Sequence, residues 1–156
     1  MKNKLKGITL LETIIYIGLF SVIILLVFNF MLATQEASIR TDRLSQLQQS
    51  SLFITQHISH TMQSAQLIDI DNSVFLDEEG KLTIEINGTP IAYELIGTTL
   101  LYDSTDISPN GITVESFYLE PIYKDTQIIA VSIQINIYSN RDPRLTEEIN
   151  FLGRIR

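Results

Sequence analysis

The chain has 156 residues, no cysteine and a formal charge of −7, from 18 acidic against 11 basic side chains. That length accommodates one domain plus a terminal segment. Without cysteine there is no disulfide framework or thiolate metal site, and an acidic balance with no basic stripe argues against nucleic acid or anionic lipid surfaces as generic partners.

Lys2, Lys4 and Lys6 open the chain without an acidic neighbour, and Gly7 closes this leader, residues 1–7. Positive charge ahead of an apolar run holds the amino terminus in the cytoplasm and sends the rest across the membrane. The run that follows, residues 8–32, would be roughly 38 Å long as a helix, against a hydrocarbon core of about 30 Å. It therefore predicts a spanning helix over 8–33. Residues 13–32 contain no Asp, Glu, Lys or Arg, yet Glu12 stands at their head. An ionised side chain inside a spanning helix costs about 3 kcal/mol on insertion scales, so its presence points to a function. The bland alternative is a glutamate that caps the helix and complements its dipole. A secretory signal would have a shorter apolar core and a small-residue cleavage site after it; Ala33-Thr34-Gln35-Glu36-Ala37-Ser38 is weakly of that kind. A plain membrane anchor is the remaining alternative.

Beyond the apolar run the pattern becomes amphipathic over 34–66. Leu44, Leu47, Ile54, Ile58 and Met62, with small Ser51 and Ala65 between, share one face at helical period, opposite Arg40, Asp42, Arg43, Gln48, Gln49 and Gln56. With no Pro or Gly over 19–67, one continuous helix is expected from about Thr9 to Ala65. A periodic helix of that length calls for a membrane, coiled-coil or filament explanation. His57 and His60 lie on the flank of its stripe. A metal would need a third ligand that nothing nearby supplies, so they read as solvated or interface histidines.

From Gln66 the period changes to two, and residues 67–156 read as an antiparallel β head. Leu82, Ile84 and Ile86 alternate with polar residues, Asn87-Gly88-Thr89-Pro90 punctuates, and Ile91, Tyr93 and Leu95 resume: a hairpin. The clearest strand is 128–138, with Ile129, Val131, Ile133, Ile135 and Ile137 on one side and Ser132, Gln134 and Asn136 on the other. Residues 112–119 and 149–155 are weaker strands. Residues 77–80, 108–111 and 140–143 read as turns or loops. The fold class is α+β, the helical stripe lying on one face of the sheet. Asp69, Asp71 and Asp77 offer oxygens to a calcium ion, but Ser73-Val74 break the EF-hand spacing, and an acidic turn is the simpler reading. Asn87-Gly88-Thr89 matches a glycosylation sequon that turn geometry explains better. No nucleophile–base–orienter spacing and no phosphate loop is present, so no enzyme and no cofactor is expected.

The leader, Gly7, and the block Ile8-Thr9-Leu10-Leu11-Glu12 ahead of the apolar run resemble the cleavage and N-methylation site of type IV prepilins and type II secretion pseudopilins. The resemblance covers about the first 30 residues. It implies that a prepilin peptidase cuts between Gly7 and Ile8 and methylates the new amine of Ile8, and that Thr9, Leu10, Leu11 and Glu12 act in assembly. It implies further that Lys2, Lys4 and Lys6 hold the precursor in the bilayer. The family usually begins its mature chain with phenylalanine, where this one has Ile8, and the span lacks the proline that kinks many pilin helices. Asp42-Arg43-Leu44-Ser45-Gln46-Leu47-Gln48 with Phe53-Ile54, the 131–138 strand and Phe151-Leu152-Gly153-Arg154 are similar to J-type minor pseudopilins and their pilus counterparts. These similarities imply a minor structural subunit of a pilus-like or secretion filament. Its partners would be the peptidase, other pilin or pseudopilin subunits and an inner-membrane assembly platform. The protein would sit in the bacterial inner membrane as a single-pass protein, amino terminus cytoplasmic and head extracytoplasmic, before entering the filament. Two other classes stand beside this: an anchored extracytoplasmic binding or sensor domain that never polymerises, and a tip adhesin whose β loops bind a surface ligand.

Overall fold

The computed structural model describes residues 9–124 and 127–155. Lys2, Lys4, Lys6, Gly7 and Ile8 lie outside the described residues. A single helix, α1 (Leu10–Ser64), is followed by eight strands: β1 (Leu67–Val74), β2 (Lys81–Ile86), β3 (Thr89–Ile96), β4 (Thr99–Tyr102), β5 (Thr105–Asp106), β6 (Ile112–Lys124), β7 (Gln127–Ser139) and β8 (Asp142–Arg154). The class is α+β, as the change of period at Gln66 predicts. The chain divides into two compact units, Met1–Asp42 and Arg43–Arg156.

In the first unit every side chain over 9–42 is exposed. Glycine costs a helix about 1 kcal/mol relative to alanine, and Gly18 is tolerated inside α1 with open space around its Cα. The polar groups of the apolar run are satisfied within the helix: Ser21 Oγ donates to the Ile17 carbonyl at 2.8 Å and Thr34 Oγ1 to that of Phe30 at 2.8 Å.

In the second unit α1 buries Leu47, Ser50, Ile54, Ile58, Thr61 and Met62, spaced three and four apart as one helical face requires. The expected stripe is shifted slightly. Leu44 is exposed, and Ser50 rather than Ser51 closes the face, because the buried arc is centred on Ile54 and Ile58. Where one sheet was expected there are two. The first has the order β1-β2-β3-β4-β5, the second β6-β7-β8, each an antiparallel meander. The helical face shares one continuous apolar core with Leu82, Ile84, Tyr93, Leu95 and Leu100 of the first sheet and with Phe117, Leu119, Ile133 and Ile135 of the second.

The two sheets are stitched by the segment between β1 and β2, which runs parallel to β6 at Glu79 and Phe117. The Leu76 N–H donates to the Leu119 carbonyl (2.9 Å), the Phe117 N–H to Glu78 (2.8 Å), and the Gly80 N–H to Phe117 (3.0 Å). Residues 77–80 are thus a structural seam as well as a turn.

The β2–β3 hairpin turns on Asn87 and Gly88 alone, both at positive φ (52° and 78°), the conformation in which Asn-Gly matches strand twist. Thr89 and Pro90, expected in the turn, already belong to β3 and pair with Ile86 and Glu85. Likewise Asn140 and Arg141 make the β7–β8 turn, while Asp142 and Pro143 start β8.

Two bulges explain where alternation misleads. Val114 pairs with Ile137 and Ser116 with Asn136, so Glu115 is the extra residue. The inward set then passes from Ile112 and Val114 to Phe117 and Leu119. On β7, Ile122 pairs with Ala130 and Tyr123 with Ile128, which leaves Ile129 extra and partly exposed while Ile128 is buried. Ile129 therefore does not join Val131, Ile133, Ile135 and Ile137 on the core side.

Candidate functional site at the amino end of the long helix

Thr9 precedes the first helical residue, and its Oγ1 accepts the backbone N–H of Glu12 at 3.3 Å. This is the side-chain cap that a Thr three residues before a Glu provides, satisfying one of the four orphan N–H groups of a helix start. The Thr9 carbonyl accepts the Thr13 N–H at 3.1 Å, and Thr13 Oγ1 donates to the same carbonyl at 3.3 Å. Glu12 thus occupies the first turn, where a negative charge complements the helix dipole. One turn further on, the Tyr16 hydroxyl donates to Glu12 Oε1 at 3.0 Å.

Sequence reasoning placed Thr9 and Glu12 together and missed Tyr16. The signal was available, since residues four apart share a helical face. Leu10 and Leu11 are brought to the surface beside this cluster, 82% and 69% exposed. Around them α1 presents apolar side chains on every side over 14–32. A helix apolar all round calls for an apolar environment. By length and composition α1 is long and apolar enough to cross a membrane, with an 18-residue stretch of mean hydropathy 2.6.

Two of the three calcium candidates are otherwise engaged. Asp69 accepts the Asn72 side-chain amide at 2.7 Å and its backbone N–H at 3.2 Å. The side-chain bond from Asn72 is the main reason its carboxyl sits below the usual carboxylate range. Asp77 Oδ1 accepts the Glu79 N–H at 3.0 Å, an Asx turn at the seam between the sheets. Asp71 lies exposed on β1. Among the described residues no three His, Asp or Glu side chains gather as a metal site would require.

A second polar cluster joins α1 to the first sheet. Tyr93 on β3 is fully buried and pairs with Tyr102 on β4. Its hydroxyl lies 2.8 Å from Thr61 Oγ1 and 2.8 Å from His57 Nδ1, while Thr61 Oγ1 donates to the His57 carbonyl at 2.8 Å. Three contacts and three protons close in one arrangement: Thr61 donates to the carbonyl, Tyr93 to Thr61, and His57 Nδ1–H to Tyr93. The ring of Tyr102 meets that of His57 edge-on, centroids 4.9 Å apart. Burial pushes the Tyr93 hydroxyl well above its ordinary value. Burial first, and His60 second, hold His57 below its own. This cluster aligns the helix on the sheet and leaves His60 exposed.

No known protein family, curated protein or solved structure matches this chain.

Proposed function

We propose that the protein is a minor structural subunit, a minor pilin or pseudopilin, of a type IV pilus-like or type II secretion filament, assembled through the amino end of α1. The observation that carries the reading is a lone carboxylate, Glu12, in the first turn of a helix that is otherwise uncharged over residues 10–35, directly behind a lysine-bearing leader that ends in Gly7. A membrane anchor gains only a favourable helix-dipole term from such a charge; a helix that must find a cationic neighbour gains a specific partner.

In this reading the leader lysines resist extraction from the bilayer until the prepilin peptidase cuts after Gly7 and exposes the amine of Ile8. Helices then leave the membrane, on its extracytoplasmic side, for an equally apolar filament core. There Glu12 pairs with the amino-terminal amine of a neighbouring subunit. A buried ion pair is a weak source of stability, but it specifies register, because a mis-stepped subunit leaves its carboxylate unpaired at a cost of about 3–5 kcal/mol. The second unit, Arg43–Arg156, carries no role in this mechanism beyond presenting its surface to adjoining subunits.

The test is the amino terminus of the protein from its native membrane, by intact and peptide mass spectrometry, together with co-purification of Glu12→Ala with filaments. The expected result is a chain starting at Ile8 with one added methyl, and a variant that is processed yet incorporated poorly. A chain starting at Met1, or normal incorporation of Glu12→Ala, overturns the proposal and leaves an anchored domain.

A further inference from the structure

The Tyr16 hydroxyl donates to one oxygen of the Glu12 carboxyl group, and the helix cap holds the backbone of the same residue from the other side. Over residues 9–35 there is no other Asp, Glu, Lys, Arg or His. At the boundary of the hydrocarbon region that carboxyl group would have little water to turn to, and an unpaired polar group there is costly. Tyrosine is itself suited to the edge of the hydrocarbon region, with an apolar ring and a polar tip. The (i, i+4) spacing lets the hydroxyl reach Glu12 without disturbing the helix.

We propose that Tyr16 is a positioning residue for Glu12. It occupies Oε1 and orients the carboxyl group along the helix while the subunit is unassembled, leaving Oε2, which accepts no hydrogen bond among the described residues, for the cationic group that the partner subunit brings. This rests on the reading of α1 as a membrane and filament helix. Tyr16 need touch no partner itself; its effect passes through the carboxyl group it holds.

The full chain, reconstituted in phosphatidylcholine vesicles, is treated with dicyclohexylcarbodiimide, which modifies carboxyl groups in apolar surroundings, and labelling at Glu12 is followed by peptide mass spectrometry. Losing one hydrogen bond to a charged group corresponds to roughly tenfold in an equilibrium, so Tyr16→Phe should label about tenfold faster than the parent. Tyr16→Leu, which lacks both ring and hydroxyl, should match Tyr16→Phe, which separates the hydroxyl from ring packing. Glu12→Gln gives the background. Equal rates in parent and Tyr16→Phe, or acceleration in Tyr16→Leu alone, overturn the positioning role. Because labelling is read on unassembled protein, that failure is distinct from a failure of the filament reading, which shows as a chain starting at Met1.

Discussion

Replacing Gly80 by alanine tests how the two sheets are joined. A Cβ built on Gly80 falls 2.3 Å from the Phe117 carbonyl oxygen, inside the 3.0 Å that real Cβ atoms keep, with Leu119 Cδ1 and Cγ at 3.2 and 3.3 Å. The obstructing atom is backbone in a paired strand, so it cannot rotate away. The 78–80 segment must withdraw, which breaks the Gly80–Phe117 and Phe117–Glu78 hydrogen bonds. Each buried hydrogen bond left unmade costs about 1–3 kcal/mol. The stiffer unfolded chain returns about 0.4–1 kcal/mol. The net destabilisation is about 1–5 kcal/mol, which at about 4 °C per kcal/mol for a domain of this size lowers Tm by roughly 4–20 °C. Thermal unfolding of the full chain in detergent micelles, followed by circular dichroism of the sheet signal, measures it. Gly18→Ala is the control, since its Cβ would meet nothing within 4 Å. A Gly80→Ala transition within about 2 °C of the parent, on the same scale, refutes the reasoning: the seam would not contribute to the stability of the head.

Two further predictions concern the cluster around His57. Tyr93→Phe keeps the ring but strands the His57 N–H and an acceptor site on Thr61, so denaturant unfolding should show a loss of about 1–3 kcal/mol; a loss below about 0.5 kcal/mol would count against the three-proton arrangement. Because burial and His60 lower the His57 value in the folded state, its neutral form is the one the fold favours. Its contribution is fully present above the unfolded value near 6.5 and is lost as pH falls from there through the lowered folded value. The groups facing it are Tyr93, Thr61, Tyr102 and Phe53, with His60 one turn on. Denaturation midpoints measured through that window should fall for the parent and fall less for His57→Gln; identical slopes would exclude His57 as the source.

Several features were legible because they depend on neighbours in sequence. The extent of α1 follows from a run without Pro or Gly over 19–67, an apolar segment that tolerates Gly18, and Thr9 three residues before Glu12. The β2–β3 hairpin follows from Asn-Gly, the pair that best accepts two positive φ angles in succession. Tyr16 belonged to this legible class and was overlooked, for its partner is only four residues away. The one misplaced strand residue, Ile129, sits at a bulge. A bulge at Glu115 and another at Ile129 each insert one residue into a ladder and reverse the face that later residues present. Periodicity alone counts such residues as ordinary members of an alternating run. The short strands β4 and β5 went unseen because a span of two to four residues is too brief to show a period.

The sequence by itself therefore determined the long helix, its apolar first half, the charge at its head and the β character of the rest. Each of these rests on interactions within one turn or one strand. Only the tertiary structure decided that the strands divide into two sheets, that the 76–80 segment joins them along β6, and that His57, Thr61 and Tyr93 share one chain of hydrogen bonds. Those arrangements join residues 32 to 43 positions apart in the chain. Their partners are selected by the shape of a common core, which no local pattern encodes.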